Sequence, residues 1–452
     1  MPRRKSEQIE NPIVTSNQLA KIEIKPIDKV TEDAYFKFGK LVNTQRHIPS
    51  LDGLKISYRR LLYVSHQLPS GKLIKSCSVL GKISDYHGHS TDGIMGTIAA
   101  FVKGRVFEGE GFFGQAYIDG SSDPAAAPRY TSVRLSDNYR KIIGKLLDDV
   151  PYDESEVGPQ EPRFIPLPLP LCLFLDSVVS GMGVGISTNQ PNFSPLSLYN
   201  AYINNNPTLL EPSIDIEIVR SESELERLWT QGIGRVVYKF HTKEHVNQDG
   251  CKGILISGDC GIFTPNLKNK YIRRWKEEGK IITEDLTDQN GPKYFIGIAK
   301  GIRTIDYEEF KRIVESICVY RDTYSLNVTD GESAFRIPLY EWIKFTYTRY
   351  IDLATSHNLK EIEQTKFNIK VYESLPSVVD YILNINPKAE NDEICKSLNL
   401  TMDVVSAIMS KPISTLKKSK DNSSKLKDLK SKLKELTEFN PVKFTDDIIK
   451  QL

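Results

Sequence analysis

The stretch from Ile337 to Leu375 constrains the fold of this chain more than any other segment. Pro338 is its one proline before the end, and apolar residues recur along it at spacings of three and four. This periodicity predicts a helix of roughly ten turns, which is long for a globular protein. A later stretch spaces its leucines three, four and three apart, at Leu426, Leu429, Leu433 and Leu436. That spacing is typical of a coiled-coil seam, so we expect the later helix to pack antiparallel along the first one.

Proline marks the main boundary inside the rest of the sequence. Five prolines fall between positions 159 and 170, where they exclude a helix interior and predict a segment that crosses between two domains. Ahead of it, helical patterns occur at 32–48, 55–65 and 135–147, with a Gly-rich stretch at 88–120. Short helices separated by loops are typical of a compact, mostly helical domain.

The sequence after the proline-rich segment changes in character. Gly234–His241 and Lys252–Ser257 are rich in β-branched and aromatic residues and predict strands. Helical patterns at Glu222–Thr230 and Tyr307–Val319 alternate with them. A second domain of mixed α and β structure is therefore expected here.

Composition limits the classes of protein to which this chain can belong. The formal charge is only +2, so a nucleic-acid role would have to rest on where the Lys and Arg residues lie. No apolar run is long enough for a spanning helix, and the polar N-terminus lacks the apolar stretch of a signal peptide. The six cysteines are scattered, without a C-x-x-C pair, which argues against a zinc ribbon or a disulfide scaffold. We therefore expect a cytoplasmic protein with reduced thiols and no membrane contact.

The segment around Tyr130 carries the clearest chemical signal. Small residues at 125–127 precede the pair Arg129 and Tyr130, and Gly109, Gly111 and Gly114 lie shortly before. A phenol is a weak nucleophile near neutral pH and needs positive charge or a base beside it. Arginine suits the clamping of a phosphoryl group. The alternative is an ordinary buried tyrosine whose hydroxyl finds a partner, with Arg129 on the surface.

The same segment resembles the catalytic loop of gyrase A and the other type IIA DNA topoisomerases, which reads Gly-x-Gly-Asn-Phe-Gly, then Asp-Gly, then Ala-Ala-Ala-x-Arg-Tyr-Thr. Three further blocks are similar to the family and occur in its order: 46–55 continuing through 60, 86–89 and 179–189. The resemblance covers about residues 32 to 190 by motif and continues to the end by architecture. In its short length, the chain is also similar to the medium subunit of phage-encoded topoisomerases.

The resemblance implies roles for individual residues. Tyr130 would form a 5′-phosphotyrosine bond, Arg129 would stabilise the transition-state charge, and His89 would lie near the scissile phosphate. Met182 would be the DNA-intercalating wedge. The remaining matched positions would contact DNA: Arg46, Lys55, Arg59, Arg60 and His87. From the residues alone, the basic side chains at 55, 59 and 60 could equally form a solvated helix face, and no metal is assigned to either histidine.

Some positions depart from the family pattern. Met182 replaces the usual Ile, and either side chain can part a base step. Phe112 replaces the Asn of the Gly-rich loop, Ser90 and Thr91 replace the usual Gly-Asp/Glu, and one residue is deleted around Ser50. None of these departures affects Arg129 or Tyr130.

The resemblance also implies cofactors and partners. The family uses Mg²⁺ and ATP, but the sequence has no Gly-rich ATPase signature and no acidic cluster of the family's metal-binding type. We therefore expect both cofactors to bind a separate ATPase/metal-binding subunit. The other expected partners are double-stranded DNA and a second copy of this chain. Because no DNA-wrapping domain follows the coiled coil, relaxation or decatenation is expected rather than supercoiling, in the host cytoplasm if a phage encodes the chain.

The expected fold is a multidomain α+β protein. It would comprise an N-terminal arm, a winged-helix-type DNA-cleavage domain, a mixed α/β tower domain and a long antiparallel coiled coil ending in a helical dimer gate: 1–31, 32–155, 156–335 and 336–452, with the gate at about 376–410. The predicted function is DNA cleavage and religation for strand passage by a type II topoisomerase. Two alternatives stay open: a catalytically inactive DNA-bending protein of the same fold, and an unrelated tyrosine recombinase.

Overall fold

The computed structural model of the chain describes residues 26–88, 92–154, 158–175, 179–219, 221–288, 291–412 and 423–452. In the N-terminal third, helices surround a small antiparallel sheet. The helices are α1 Ile27–Val42, α2 Ile56–Gln67, α3 Ser76–Ile83, α4 Asp92–Lys103 and α5 Asp137–Ile143. The strands are β1 Ile74–Lys75, β2 Phe107–Glu110, β3 Gln115–Ala116, β4 Ser122–Asp123, β5 Ser132–Leu135, β6 Tyr152–Asp153 and β7 Glu161–Pro162.

The three-stranded sheet of this region has the order β1-β5-β2, and β5 is its central strand. Val133 and Leu135 on β5 are buried in the main core, which also contains Leu61 and Leu62 of α2 and Phe101 of α4. Two short ribbons, β3-β4 and β6-β7, lie outside it. The central position of β5 matters because the strand begins immediately after the turn that carries Tyr130.

The predicted helix at 135–147 is shorter than expected. Leu135 belongs to β5, and the Ser136 hydroxyl caps α5 by accepting from the Tyr139 amide. The helix ends at Gly144, whose φ of 42° departs from helical geometry. A 3-10 helix, Gly144–Asp149, then completes the segment. The helix α4 was not predicted, because Gly93 and Gly96 weaken its local helical signal.

The middle of the chain forms the expected mixed α and β region. Its strands are β8 Val179–Met182, β9 Ser187–Gln190, β10 Glu217–Val219, β11 Ile233–Lys239, β12 His241–Val246, β13 Lys252–Ser257, β14 Ile281–Asp285, β15 Lys293–Ile298, β16 Val319–Ser325, β17 Asn327–Thr329 and β18 Ala334–Arg336. Its helices are α6 Pro195–Asn204, α7 Glu222–Gln231, α8 Lys270–Glu277 and α9 Tyr307–Ile317. One sheet has five strands in the order β10-β11-β16-β9-β8, and another has four in the order β12-β13-β15-β14.

The long helix predicted from periodicity is present as α10, Leu339–Asp380, with 42 residues. At 1.5 Å per residue it is about 63 Å long. Its first turns are buried in the main core through Leu339, Trp342 and Tyr350, and the Trp342 indole donates to the Leu51 carbonyl at 2.8 Å. The helix continues through Pro376 instead of ending at Leu375, and a π-helical turn, Tyr381–Ile385, follows it.

The remaining helices are α11 Asn391–Leu398, α12 Met402–Met409, α13 Ser423–Thr437 and α14 Pro441–Ile449. The first two pack with the far end of α10 in a small separate core around Leu375, Val378 and Ile408. The helix α13 returns along α10 in the antiparallel sense: Asn358 donates to the Leu436 carbonyl, and Lys430 pairs with Glu373 further along. The four leucines predicted to form the seam are half-buried: Leu426, Leu429, Leu433 and Leu436.

The mixed α+β class is therefore confirmed. The identity of its parts as winged-helix, tower, coiled-coil and gate domains, with the boundaries given above, stays a prediction.

Candidate functional site

Tyr130 lies where an exposed turn meets a buried strand. Its amide donates to the Ala127 carbonyl at 2.8 Å, which closes the turn, and 65% of its side chain is exposed. The next residue, Thr131, is fully buried, and its hydroxyl donates to the Ser76 hydroxyl at 2.7 Å. The Ser76 amide donates to the Thr131 carbonyl at 3.0 Å. The backbone is thus fixed one residue after the phenol, while the phenol itself is accessible.

The Gly-rich loop at 109–114 packs behind that turn. Gly111 has φ +109°, and an added Cβ would lie 3.0 Å from the Tyr130 carbonyl oxygen. Gly114 has φ +85°, and its added Cβ would lie 3.0 Å from the Asp123 carbonyl oxygen. The Ala126 amide donates to the Phe112 carbonyl at 2.9 Å, which ties the loop to the small-residue segment. Glycine is needed at 111 and 114 because a side chain would be strained and would displace the neighbouring backbone.

Arg129 lies over the Tyr130 ring. Its guanidinium carbon is 4.6 Å from the ring centroid, and both side chains are exposed. A cation at this distance from an aromatic face is attracted to it, which keeps the positive charge beside the phenol. Arg129 and Tyr130, which are adjacent in sequence, are therefore also in contact through their side chains.

Arg46, Arg60 and His87 line one cavity of about 450 Å³ between α1, α2 and the start of α4. Arg46 is on the π-helical turn Asn43–His47 that follows α1, and Arg60 is on α2. His47 also lines the cavity; burial and then the charges of Lys55 and Arg46 lower its pKa. Three of the predicted DNA-binding residues are thus brought together in a basic cavity.

The carboxylate of Glu161 holds Arg60, and Arg60 in turn contacts His87. Glu161 on β7 accepts from Arg60 Nε and Nη2, both at 2.7 Å, and Arg60 Nη1 lies 3.3 Å from His87 Nδ1. Sequence reasoning missed Glu161. The signal available to it was weak, because Glu161 and Arg60 are 101 positions apart in the chain.

Lys55 and Arg59 turn toward the protein. Lys55 Nζ donates to the Ser180 carbonyl at 2.6 Å, and burial lowers its pKa. Arg59 Nη2 donates to the Ser50 hydroxyl at 2.6 Å, and its Nε lies 3.3 Å from a carboxylate oxygen of Asp52. Asp52 is fully buried, and sequence reasoning missed it too. Contact of Lys55 and Arg59 with DNA stays a prediction.

Met182 is at the tip of the β8-β9 hairpin and is 80% exposed. The hairpin is braced against the turn that carries Arg46, because Asn43 both donates to the Val184 carbonyl, at 2.9 Å, and accepts from its amide, at 2.7 Å. An exposed apolar side chain on a braced hairpin is suited to insertion, and its role stays a prediction. His89, the third predicted catalytic residue, lies outside the described residues.

Three properties of the described residues bear on other kinds of site. They contain no group of three or more His, Cys, Asp or Glu side chains placed to hold a metal ion. All six cysteines are free. Every helix in the described ranges is too short or too polar to cross a bilayer. His241 and His245 lie on β12, and His241 pairs with Asp215 and Glu217.

As a class, an α+β protein with an accessible tyrosine beside an arginine, and with an arginine-lined cavity in the same region, is chemically suited to phosphoryl transfer. Residues 46–239 match the family described as the A subunit of DNA gyrase/topoisomerase IV. Over that region, which contains Tyr130, Arg129 and each of the other predicted site residues, the chain is similar to the breakage-reunion subunits of type IIA topoisomerases.

Individual relatives agree with the family match. The chain is 34% identical over 188 residues to the A subunit of DNA gyrase from Haloquadratum walsbyi, covering 38% of this chain and 21% of that protein. It is 35% identical over 182 residues to the Chlamydia pneumoniae protein of the same name, covering 37% and 21%. With that of Helicobacter pylori the identity is 24% over 442 residues, covering 86% and 50%. The chain thus spans half or less of the length of these relatives.

Proposed function

We propose that this chain is the DNA cleavage and religation subunit of an ATP-dependent type II topoisomerase. The observation that carries the proposal is the accessible Tyr130 on a fixed turn, with Arg129 over its ring, inside the region that matches the family. The cavity lined by Arg46, Arg60 and His87 supports it, because arginine and histidine donors are suited to holding phosphates without reading base sequence.

The proposed reaction exchanges one phosphodiester for another. The Tyr130 oxygen attacks a backbone phosphorus and forms a bond to it, and the bond between that phosphorus and the 3′ oxygen breaks. The 5′ phosphate is then attached to the tyrosine. The phenol loses its proton and the 3′ oxygen gains one. Arg129 stabilises negative charge on the phosphoryl oxygens. The reverse attack by the 3′ hydroxyl reseals the strand, so bond energy is conserved and the break is transient.

The proposal includes partners. A Mg²⁺ ion on a separate subunit would stabilise the charge of the phosphate during cleavage. ATP would bind that same partner and drive passage of a second duplex. A second copy of this chain would cut the opposite strand, so the functional unit would contain two copies of Tyr130.

The test is a covalent-adduct assay on Tyr130→Phe. The protein is mixed with end-labelled duplex, Mg²⁺ and a candidate ATPase/metal-binding subunit, then denatured rapidly with detergent. We expect the wild-type protein to carry label through a 5′ end and Tyr130→Phe to carry none, with DNA affinity nearly unchanged. Tyr35→Phe is the matched control, because Tyr35 is 64% exposed and Tyr130 is 65% exposed.

An adduct with Tyr130→Phe would contradict the assignment of the nucleophile. Absence of an adduct in the wild-type protein, despite DNA binding and a partner shown to be active, would favour the DNA-bending alternative.

A further inference from the structure

Arg60 is held by Glu161 in a two-point ion pair. Nε and Nη2 each donate to a different carboxylate oxygen of Glu161, at 2.7 Å, and the two side chains are only 19% and 18% exposed. A bidentate pair fixes the plane of the guanidinium as well as its position. Glu161 is itself held by the β6-β7 ribbon, where it pairs with Asp153. The fork of Arg60 therefore has one defined orientation.

That orientation directs the remaining nitrogen of Arg60 at His87. Nη1 lies 3.3 Å from His87 Nδ1. Arginine has donors and no acceptor, so this hydrogen bond requires an unprotonated Nδ1. In a neutral imidazole the proton then lies on Nε2. The contact with Arg60 thus selects one tautomer of His87, in which Nε2 is the donor.

The backbone of His87 is also held in place. Its amide donates to the Ile83 carbonyl at 2.9 Å, shortly after the end of α3, which fixes the backbone under the ring. Its side chain lines the cavity of about 450 Å³ together with Arg46 and Arg60.

We propose that Glu161 is a positioning residue for DNA cleavage: it orients Arg60, and Arg60 fixes the tautomer of His87 in the cavity that would take the DNA phosphate. This inference rests on the proposed function. The Glu161 carboxylate also neutralises much of the Arg60 charge, so Arg60 serves orientation more than general attraction to DNA.

One test needs no enzymatic activity. The full-length protein is labelled with ¹⁵N-histidine, and the imidazole nitrogens of His87 are assigned among the seven histidines by comparison with His87→Gln. We expect Nδ1 to show the chemical shift of an unprotonated nitrogen at neutral pH, and Nε2 that of a protonated one. In Glu161→Gln the two tautomers should become mixed. A protonated Nδ1 in the neutral ring of the wild-type protein would overturn the proposal.

The second test measures cleavage and binding separately. We expect Glu161→Gln to slow cleavage by roughly 10- to 100-fold, by analogy with the loss of a residue that orients a metal-ligating histidine. DNA affinity should stay constant or rise, because a negative charge near the DNA is removed. A general folding defect would lower both.

The matched control is Asp153→Asn. Asp153 is the direct neighbour of Glu161 on the same ribbon, and its carboxylate pairs with Arg163 at 2.5 Å, away from the cavity. We expect this variant to cleave as the wild-type protein does. Equal cleavage by Glu161→Gln and Asp153→Asn, or weaker DNA binding in Glu161→Gln, would overturn the positioning role. Failure of the wild-type protein to form any adduct would instead contradict the proposed function, since the tautomer measurement does not depend on it.

Discussion

At the scale of single residues, the position of Tyr130 depends on a glycine as much as on the side chains around it. Tyr130 is accessible because Thr131 is anchored in the core and because Gly111 lets another loop approach the Tyr130 carbonyl. The φ of +109° at Gly111 lies in a region that residues with a Cβ rarely adopt. The position of the nucleophile is therefore set by the backbone of a neighbouring loop.

Gly111→Ala should test that dependence. The added Cβ would be 3.0 Å from the Tyr130 carbonyl oxygen and 3.1 Å from Thr131 Cγ2. Backbone strain of this kind costs about 1–3 kcal/mol, which denaturant unfolding would measure. Because a small misplacement of reacting groups can reduce rates by up to about 100-fold, adduct formation should fall well beyond the loss of folded protein.

Gly71→Ala is the control for Gly111→Ala. Among the described residues, nothing lies within 4 Å of a Cβ added at Gly71. Equal adduct formation by the two variants would show that the loop does not position Tyr130.

Sequence reasoning found the residues that act through local pattern and missed those that act through distant partners. Tyr130 and Arg129 are adjacent, and the blocks around Arg46 and His87 are short and ordered. Asp52 was missed because the Ile165 amide that it accepts from is 113 positions away. The ion pair of Glu161 likewise forms only when the proline-rich segment folds back on α2.

At the scale of elements, hydrophobic periodicity predicted the long helices and failed where local and tertiary preferences differ. The helix α10 passes through Pro376, against local preference, where Leu375 and Val378 are buried in the small core at its end. The first half of α10 is also tied to the N-terminal region by Asp149, at the end of the 3-10 helix, which pairs with His357 at 2.5 Å and Lys360 at 2.6 Å. This joint connects the helix to the part of the chain that carries Tyr130.

Asp149→Asn should weaken this joint in a pH-dependent way. Burial raises the pKa of Asp149, but hydrogen bonds from Lys360 and His357 outweigh it and leave the pKa below its ordinary value. A lowered folded-state pKa contributes stability above the unfolded pKa of about 3.9 and loses it as the pH falls through the folded value. We therefore expect a loss of about 1.5–3 kcal/mol at neutral pH.

The measurement is denaturant unfolding of wild-type and Asp149→Asn protein from pH 7 down to pH 3. The difference between them should shrink below about pH 4. Asp352→Asn, at an exposed position of the same helix, should show little difference at any pH. A difference that is constant across this range would exclude the ionised carboxylate as the source of the stability.

At the scale of the whole molecule, α10 joins two unequal cores. The main core includes both the N-terminal and the mixed α and β regions, and it also includes Ile448 and Ile449 of α14, so the end of the chain returns to the base of α10. The small core lies at the far end of α10. Beside it Leu383 is 71% exposed and Ile385 is 66% exposed. Large apolar side chains clustered on a surface are typical of an interaction site.

The proposed homodimer predicts that this end of α10 meets its copy in a second chain. Replacing both Leu383 and Ile385 by Glu would place charges in an apolar contact. If each of the four side chains replaced in the two copies is worth about 1 kcal/mol, the dissociation constant should rise by roughly three orders of magnitude. Sedimentation over a concentration series would measure it. Leu359→Glu is the control, because Leu359 is 55% exposed on the same helix but lies away from the small core. Dissociation caused by Leu359→Glu and not by the double variant would place the contact along the helix. A monomeric wild-type protein would contradict a dimer formed by this chain alone.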